Sequence, residues 1–477
     1  MSRSEISSAI ASPGAALFPS QEFRRQIDDR LTLELERAQE RVARGSVTPT
    51  IDMEAFRREL AAFDFLVPRP LTELLDWSVE MLEHGVTHLT NPRYFGLFNP
   101  SPCFPAQCAD RIVGSFNPQV ASSATSPAAV ALEAHVIRSV AQRAGLPAQA
   151  GGHFTSGGSE ANCAALLCAL TSAHPQFATE GARAFSGAPV LYTSKESHRS
   201  WVKIAHQAGI GRSATRLVAT DGRGRMASRA LAEAIETDRA NGCVPVLIVA
   251  SAGSTNAGMI DPLEECADIA KRYGLWYHID AAWGGAAIAS ERLRGVLRGL
   301  ERADSVTVDA HKWFAATMGC GMFLVRDATA PSAVFHVAAS YMPSHELSVD
   351  PYMNSAQWSR RFLGLRLFLS LACAGWAGHA AHIERAVEQT AWIRRSLEER
   401  GWQIANDSPL AVLSAVPPPA LGEPRTIVAR VLASGRAWVS LAKFEERDVI
   451  RICVTHGETS AEDLATLIEA LNSQSLS

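Results

Sequence analysis

Four short stretches carry residues whose types and spacing suit chemistry on a carbonyl compound and an anion. The first is Ala303–Gly321, ADSVTVDAHKWFAATMGCG. In it Ser305–Val308 reads as a strand rich in β-branched residues, and Asp309, Ala310, His311 and Lys312 fall where the strand gives way to a loop. A lysine held there partly out of water loses basicity, because desolvation disfavours the ammonium, and becomes an amine able to attack a carbonyl. The second stretch, His278–Gly285 (HIDAAWGG), follows an apolar segment and puts Asp280 at another strand end. A carboxylate there can pair with the protonated nitrogen of a heteroaromatic ring that acts as an electron sink. In the third, Phe154–Leu170 (FTSGGSEANCAALLCAL), two glycines and a serine precede a run of good helix formers. The free N–H groups of Gly158 and Ser159, with the helix dipole, suit a phosphate, although the stretch is neither a Walker loop nor a GxGxxG turn. The fourth, Tyr192–Ile204 (YTSKESHRSWVKI), sets His198 after a short strand, with an imidazole able to lie on a flat ring.

Each stretch alone has an ordinary explanation: a solvated lysine, a turn-forming aspartate, a capped helix, a surface histidine. Their order changes the reading, because each falls at a strand end or a helix start. Open α/β sheets bind ligands at the carboxyl ends of their strands, so these residues converge on one crevice.

The elements that must hold them are legible in outline. Between about residues 125 and 335, apolar runs at Val190–Thr193, Val246–Ala250, Leu275–Ile279, Ser305–Val308 and Met322–Val325 alternate with helical stretches. That alternation argues a mostly parallel sheet covered by helices, an α/β fold. Ahead of it, Gln21–Gly45, Asp52–Phe63 and Leu71–His84 carry apolar residues at helical spacing. Behind it come a long helical region, Phe368–Leu397, strand-like runs at Ala411–Ala415 and Ile450–Val454, and a final helix Ala461–Asn472 capped by Ser460 or Thr459. The expected division is a loose arm over 1–20, a helical segment over 21–124, a large α/β domain over 125–390 and a small α+β domain over 391–477.

A chain of 477 residues exceeds a comfortable single core, and 47% hydrophobic against 20% charged residues gives ample material for a globular one. A net charge of −4 shows no basic excess, which argues against nucleic acid as a partner. Nine cysteines without CxxC pairs suggest reduced thiols and no metal site, as in a cytoplasmic protein. The first twenty residues lack the features of a secretory signal or transit peptide, and no apolar run approaches the length of a membrane span.

With DAHKW, HIDAAWGG, TSGGSEAN and ESHRS, the chain also carries NPRYFGLF at Asn91–Phe98, SPAAVALE at Ser126–Glu133, RRFLGLRLF at Arg360–Phe368 and RICVTH at Arg451–His456. In these motifs and their order, over most of the chain after about residue 60, it resembles the group II pyridoxal-phosphate-dependent amino-acid decarboxylases. This is the family of the aromatic-amino-acid, glutamate and cysteine-sulfinate decarboxylases. The resemblance implies the fold-type-I architecture, pyridoxal phosphate as cofactor, an L-amino acid as substrate, and a homodimer in which the N-terminal helices pack on the partner. By it, Lys312 forms the covalent link to the cofactor, Asp280 holds the pyridine nitrogen protonated, and His198 stacks on the ring. Gly158, Ser159, Asp309 and His311 lie around the phosphate, and Thr255, in SAGSTNAG, matches a threonine near the cofactor. The reaction implied is loss of CO₂ to give an amine; a decarboxylating aldehyde synthase or a carbon–carbon lyase on the same apparatus is the alternative. A non-catalytic binding module is disfavoured because the set of Lys312, Asp280 and His198 is complete.

At the substrate end, FNPQVASS at Phe116–Ser123 has small residues where aromatic-specific relatives carry bulk, and YFGLFNPS at Tyr94–Ser101 lacks the asparagine–glutamine pair of the acidic-substrate relatives. Arg93 has two readings, a contact to an acidic side chain or a structural or solvent-facing role. The polar, proline-punctuated run Ala338–Trp358 reads as a long loop of the kind that forms lids. In the resembled enzymes a loop here carries a tyrosine that returns the proton to Cα; Tyr352 matches it with a one-residue gap.

Overall fold

The computed structural model describes residues 16–337 and 350–473. The expected arm up to residue 15, and the expected loop from 338 to 349, lie outside the described residues.

The N-terminal segment forms helices α1 (Gln21–Arg44), α2 (Met53–Ala61) and α3 (Leu71–Gly85). The Ser20 hydroxyl caps α1 by accepting from the Phe23 N–H, and the Asp52 carboxylate caps α2 by accepting from the Glu54 and Ala55 N–H groups. Of the residues in these three helices only Ala38 is buried. Phe56 and Phe63 of this segment pack on Trp77, but between α2 and α3 Phe65, Leu66 and Val67 are 90%, 83% and 73% exposed, an apolar patch left uncovered among the described residues. Helix α4 (Phe104–Phe116) likewise exposes Phe104, Ile112 and Phe116, and α5 (Pro127–Arg143) leads into the large sheet.

That sheet has seven strands in the order β1 (Gly151–Thr155), β7 (Gly321–Val325), β6 (Ser305–Asp309), β5 (Trp276–Asp280), β4 (Val244–Ser251), β2 (Pro189–Ser194), β3 (Thr215–Val218). The pairs β6–β5, β5–β4, β4–β2 and β2–β3 are parallel, while β7 runs antiparallel to both its neighbours. Every residue of β2, β6 and β7 is buried, as expected of strands covered by helices on both faces. Helix α6 (Gly158–Ala173) follows β1 and lies against β4 to β7.

Gly364–Glu398 comprises two helices that meet at a kink at Gly375, where φ is +63°. The second of them spans residue 390, the expected boundary with the C-terminal unit. That unit is an antiparallel sheet in the order β10 (Ser440–Phe444), β11 (Arg447–Cys453), β9 (Val412–Val416), β8 (Gln403–Ile404), covered by Pro424–Ser434 and Ala461–Asn472. The last helix starts with a capping box between Ser460 and Asp463.

Candidate active site

The carboxyl ends of β4, β5 and β6 stop at Ser251, Asp280 and Asp309, and all three residues line one cavity of about 470 Å³. Lys312, His198, Thr255, His311, Gly158 and Ser159 line the same cavity. The eight residues singled out for cofactor binding are therefore together; Tyr352 is not among the lining residues.

Lys312 stands in a tight turn after β6. Its N–H donates to the Asp309 carbonyl at 3.1 Å, its own carbonyl accepts from the Ala315 N–H at 2.9 Å, and Ala315 closes the turn at φ +54°. The amine Nζ lies 2.9 Å from Asp309 Oδ2; the lysine side chain is 23% exposed and the aspartate side chain 2%. Asp309 is clamped from two sides, because a Cβ on Gly158 would sit 2.8 Å from its Oδ2 and a Cβ on Gly321 2.7 Å from its Oδ1. Gly158 thus serves first to let α6 approach this carboxylate. His311 is held by its N–H, which donates to the Cys320 carbonyl at 3.0 Å, and its Nε2 is 3.9 Å from Asp309 Oδ2.

Asp280 faces the cavity with its back fully bonded. Its Oδ2 accepts from Asn162 Nδ2 at 2.9 Å and Trp201 Nε1 at 3.3 Å, and its Oδ1 from the Ala282 N–H at 3.2 Å. In His198, Nδ1 accepts from the Ser200 N–H at 3.3 Å and lies 2.7 Å from its hydroxyl, which leaves the proton of the neutral ring on Nε2.

Three residues of this site escaped sequence reasoning although their motifs were in view. Asn162 is one turn beyond Gly158 on α6, a spacing that puts it on the same side of that helix, and Trp201 lies three residues beyond His198, in the helix that starts at Ser200. The third, Arg451 on β11, is 4% exposed and lines the cavity. Its guanidinium donates to Ser440 Oγ (3.1 Å) and to the carbonyls of Thr255 (2.8 Å) and Gly96 (3.4 Å), and lies 5.4 Å from the Phe98 ring centre. Phe98 stacks on Trp283 at 4.1 Å. Arg93 is spent elsewhere: its guanidinium donates to the carbonyls of Arg44 and Gly45 at the end of α1. Tyr352 lies in the short helix Pro351–Asn354, 5% exposed, with its N–H on the Ala121 carbonyl and its ring centre 5.0 Å from that of Trp358. The structure does not bring it to the cavity of its own chain.

Residues 67–410 match the conserved domain of pyridoxal-dependent decarboxylases. The chain belongs to this family. It is 31% identical over 338 residues to the acidic amino acid decarboxylase GADL1 of Bos taurus, a match that covers 69% of the chain and 64% of the relative. With an aromatic-L-amino-acid decarboxylase of Bacillus atrophaeus it shares 28% identity over 436 residues, 88% of the chain and 89% of the relative. A crystal structure of Oryza sativa TDC with PLP and tryptamine superposes with a TM-score of 0.89 at 22% identity, covering 95% of this chain and 97% of that one, and so shares the fold-type-I architecture. The chain spans about two thirds of the length of the vertebrate GADL1 proteins, 64% of the bovine one.

The family's cofactor is pyridoxal phosphate, and the residues present fit it. A half-buried primary amine, a buried carboxylate whose free side faces the cavity, an imidazole on the cavity wall and the N-terminus of a sixteen-residue helix opening on Gly158 supply one partner each for the aldehyde, ring nitrogen, ring face and phosphate.

Proposed function

We propose that this protein catalyses the pyridoxal-phosphate-dependent decarboxylation of an L-amino acid to the corresponding amine and CO₂. The observation that carries the reading is the convergence, in one cavity, of the Lys312 amine and the Asp280 carboxylate with its donors behind it. When bound, the cofactor supplies an electron sink for the pair left on Cα as CO₂ departs.

The chain's own residues do the rest in this reading. Lys312 holds the cofactor covalently, and Asp309 is the counter-ion of that lysine. It is not a phosphate contact, since a second anion against a buried carboxylate would be repelled. Ser159 and the N–H groups opening α6 take the phosphate, with His311 beside them, and Thr255 keeps its place near the cofactor. Asp280 keeps the proton on the ring nitrogen, and His198 covers one ring face with its Nε2–H turned to the cavity. Among the described residues, Arg451 and Lys312 are the only lysine or arginine lining the cavity. With Lys312 engaged by the cofactor, Arg451 is the cation for the substrate carboxylate, set against the apolar pair Phe98 and Trp283. Catalysis then rests on holding the bond from Cα to the carboxylate across the ring plane.

The same reading includes a homodimer. The exposed Phe65, Leu66, Val67, Phe104 and Phe116, with three helices that bury one residue between them, support a large apolar interface of the permanent kind. A cytoplasmic location accords with nine cysteines free of disulfides; among the described residues no helix is long and apolar enough to cross a membrane.

Purified protein loaded with pyridoxal phosphate is expected to absorb in the visible, to carry the cofactor on the Lys312 peptide after borohydride reduction, and to release CO₂ from an amino acid. Light scattering should give a dimer. A reduced adduct on another lysine would sink the assignment, and a stable, active monomer the assembly.

A further inference from the structure

Behind Asp280 a line of buried polar side chains runs away from the cavity through the sheet. Asn162 Nδ2 donates to Asp280 at 2.9 Å. Its Oδ1 lies 2.7 Å from Thr307 Oγ1 and 3.2 Å from His278 Nε2. His278 Nδ1 is 2.8 Å from Ser305 Oγ, and that oxygen is 2.8 Å from Trp276 Nε1. The parallel register of β5 and β6 produces this by setting His278 beside Ser305 and Asp280 beside Thr307. His278, Ser305 and Thr307 are fully buried and Asn162 is 2% exposed, so water does not compete for their hydrogen bonds.

The direction of every bond in this line is determined. A carboxylate only accepts, so Asn162 must turn its NH₂ to Asp280 and its oxygen outward. That oxygen only accepts, so both Thr307 and His278 Nε2 must donate to it. Burial lowers the pKa of His278 to about 4 against the opposing pull of Asp280, so the ring is neutral and its other nitrogen accepts. Ser305 must then donate to Nδ1, and its oxygen is left to accept from Trp276. An indole N–H only donates, so the far end agrees with an assignment worked out wholly from the near end.

We propose that Trp276, Ser305, His278 and Asn162 form a one-way hydrogen-bond chain that directs a donor onto Asp280 from behind and thereby helps it hold the proton on the cofactor's ring nitrogen. The ring-nitrogen part rests on the functional reading above; the direction of the chain does not. Each donor in such a line polarises the next and so strengthens the last bond, the one that Asn162 makes to Asp280. Fixed from behind in this way, Asp280 would be left to accept from the ring N–H. These four are positioning residues; only Asp280 meets the cofactor.

Two nitrogen-15 NMR measurements test this. In cofactor-free protein with labelled histidine, His278 should be the Nε2–H tautomer, and Ser305→Ala should admit the Nδ1–H form; an Nδ1–H ring in the unaltered protein overturns the chain whatever the cofactor does. In protein loaded with pyridoxal phosphate labelled at the ring nitrogen, that nitrogen should be protonated. Asn162→Leu should move its signal toward the unprotonated position and raise the cofactor's dissociation constant about tenfold, the weight of one hydrogen bond to a charged acceptor. Trp276→Phe and Ser305→Ala should shift the signal the same way by less, and Ser305→Thr, which keeps the hydroxyl, should restore it. An unmoved ring-nitrogen signal in folded Asn162→Leu, or in Ser305→Ala and Trp276→Phe should Asn162→Leu not fold, overturns the proposal. Failure of unaltered protein to take up the cofactor would sink the functional reading and the ring-nitrogen claim with it, while the His278 tautomer still decides the direction of the chain.

Discussion

Replacing Gly158 by alanine sets two effects of opposite sign against each other. Gly158 opens α6 and does not have a positive φ, so its backbone accepts alanine, and helix propensity alone favours the change by ~1 kcal/mol. The added methyl, however, would lie 2.8, 3.3 and 3.4 Å from Oδ2, Oδ1 and Cγ of Asp309. The first of these distances is one at which something must move. Asp309 has no room to retreat, since Gly321 closes its other side and its side chain is only 2% exposed. Overpacking of this kind costs ~1–3 kcal/mol, and here it also pushes Asp309 Oδ2 off the Lys312 amine. The packing term is the larger: Gly158→Ala should lose up to about 2 kcal/mol of stability by urea unfolding. It should also bind pyridoxal phosphate about tenfold less tightly by absorbance titration, a change equivalent to 1.4 kcal/mol. A variant as stable as the parent, with unchanged affinity, would show that α6 does not press on Asp309 and would refute the reasoning.

Asp280→Asn should retain the cofactor yet lose about 10²-fold or more in kcat, the scale of removing one group aimed at developing charge; near-normal turnover would count against its part in holding the ring proton. Because Arg451 and Lys312 are, among the described residues, the only lysine or arginine lining the cavity, neutral amino acids should release CO₂ faster than aspartate, glutamate or cysteine sulfinate in a parallel screen, and a preference for the acidic set would contradict this. Burial depresses the pKa of His379 to about 4, so the unfolded chain binds its proton first and stability falls as pH drops from about 6.5 to about 4. His379→Phe, at a position already packed against the Phe314 ring, should therefore show a shallower fall in Tm over that range than the parent. Tyr352→Phe should change amine production by less than about threefold, whereas a loss of ~10²–10⁴ would make this tyrosine the proton donor after all.

How much of this was legible in the sequence follows from the kind of signal each element carries. Strands β2, β4, β5, β6 and β7 are buried along most of their length, so they read as apolar runs and were found within a few residues. Strand β1 is GGHFT, where two glycines and a histidine hide a strand that exists because β7 pairs with it, and β3 is a four-residue edge. Neither has a periodicity to read. The N-terminal helices were found to within two residues because caps such as Ser20 and Asp52 are local signals. The kink at Gly375 was not legible, because nothing local in Phe368–Leu397 marks which of its glycines leaves the helix.

In the site, residue types were legible and their pairings were not. Asp309 stood beside Lys312 in a motif that implied a phosphate contact, and only the clamp of Gly158 and Gly321 shows its carboxylate turned to the amine. Asn162 and His278 lay inside quoted motifs, yet their roles depend on a register between β5 and β6 that no single segment encodes. Tyr352 shows the same limit from the other side. A tyrosine after an aspartate and a proline satisfies the pattern of a lid, but what fixes this one is a buried Asp350 whose Oδ1 accepts from the Ser123 N–H and hydroxyl, each at 2.7 Å. That anchor ties the start of Pro351–Asn354 to the segment after α4 and sets the ring against Trp358. A residue tethered in this way reaches the Cα of a substrate in its own chain only if the tether breaks, which is why its removal is expected to be mild.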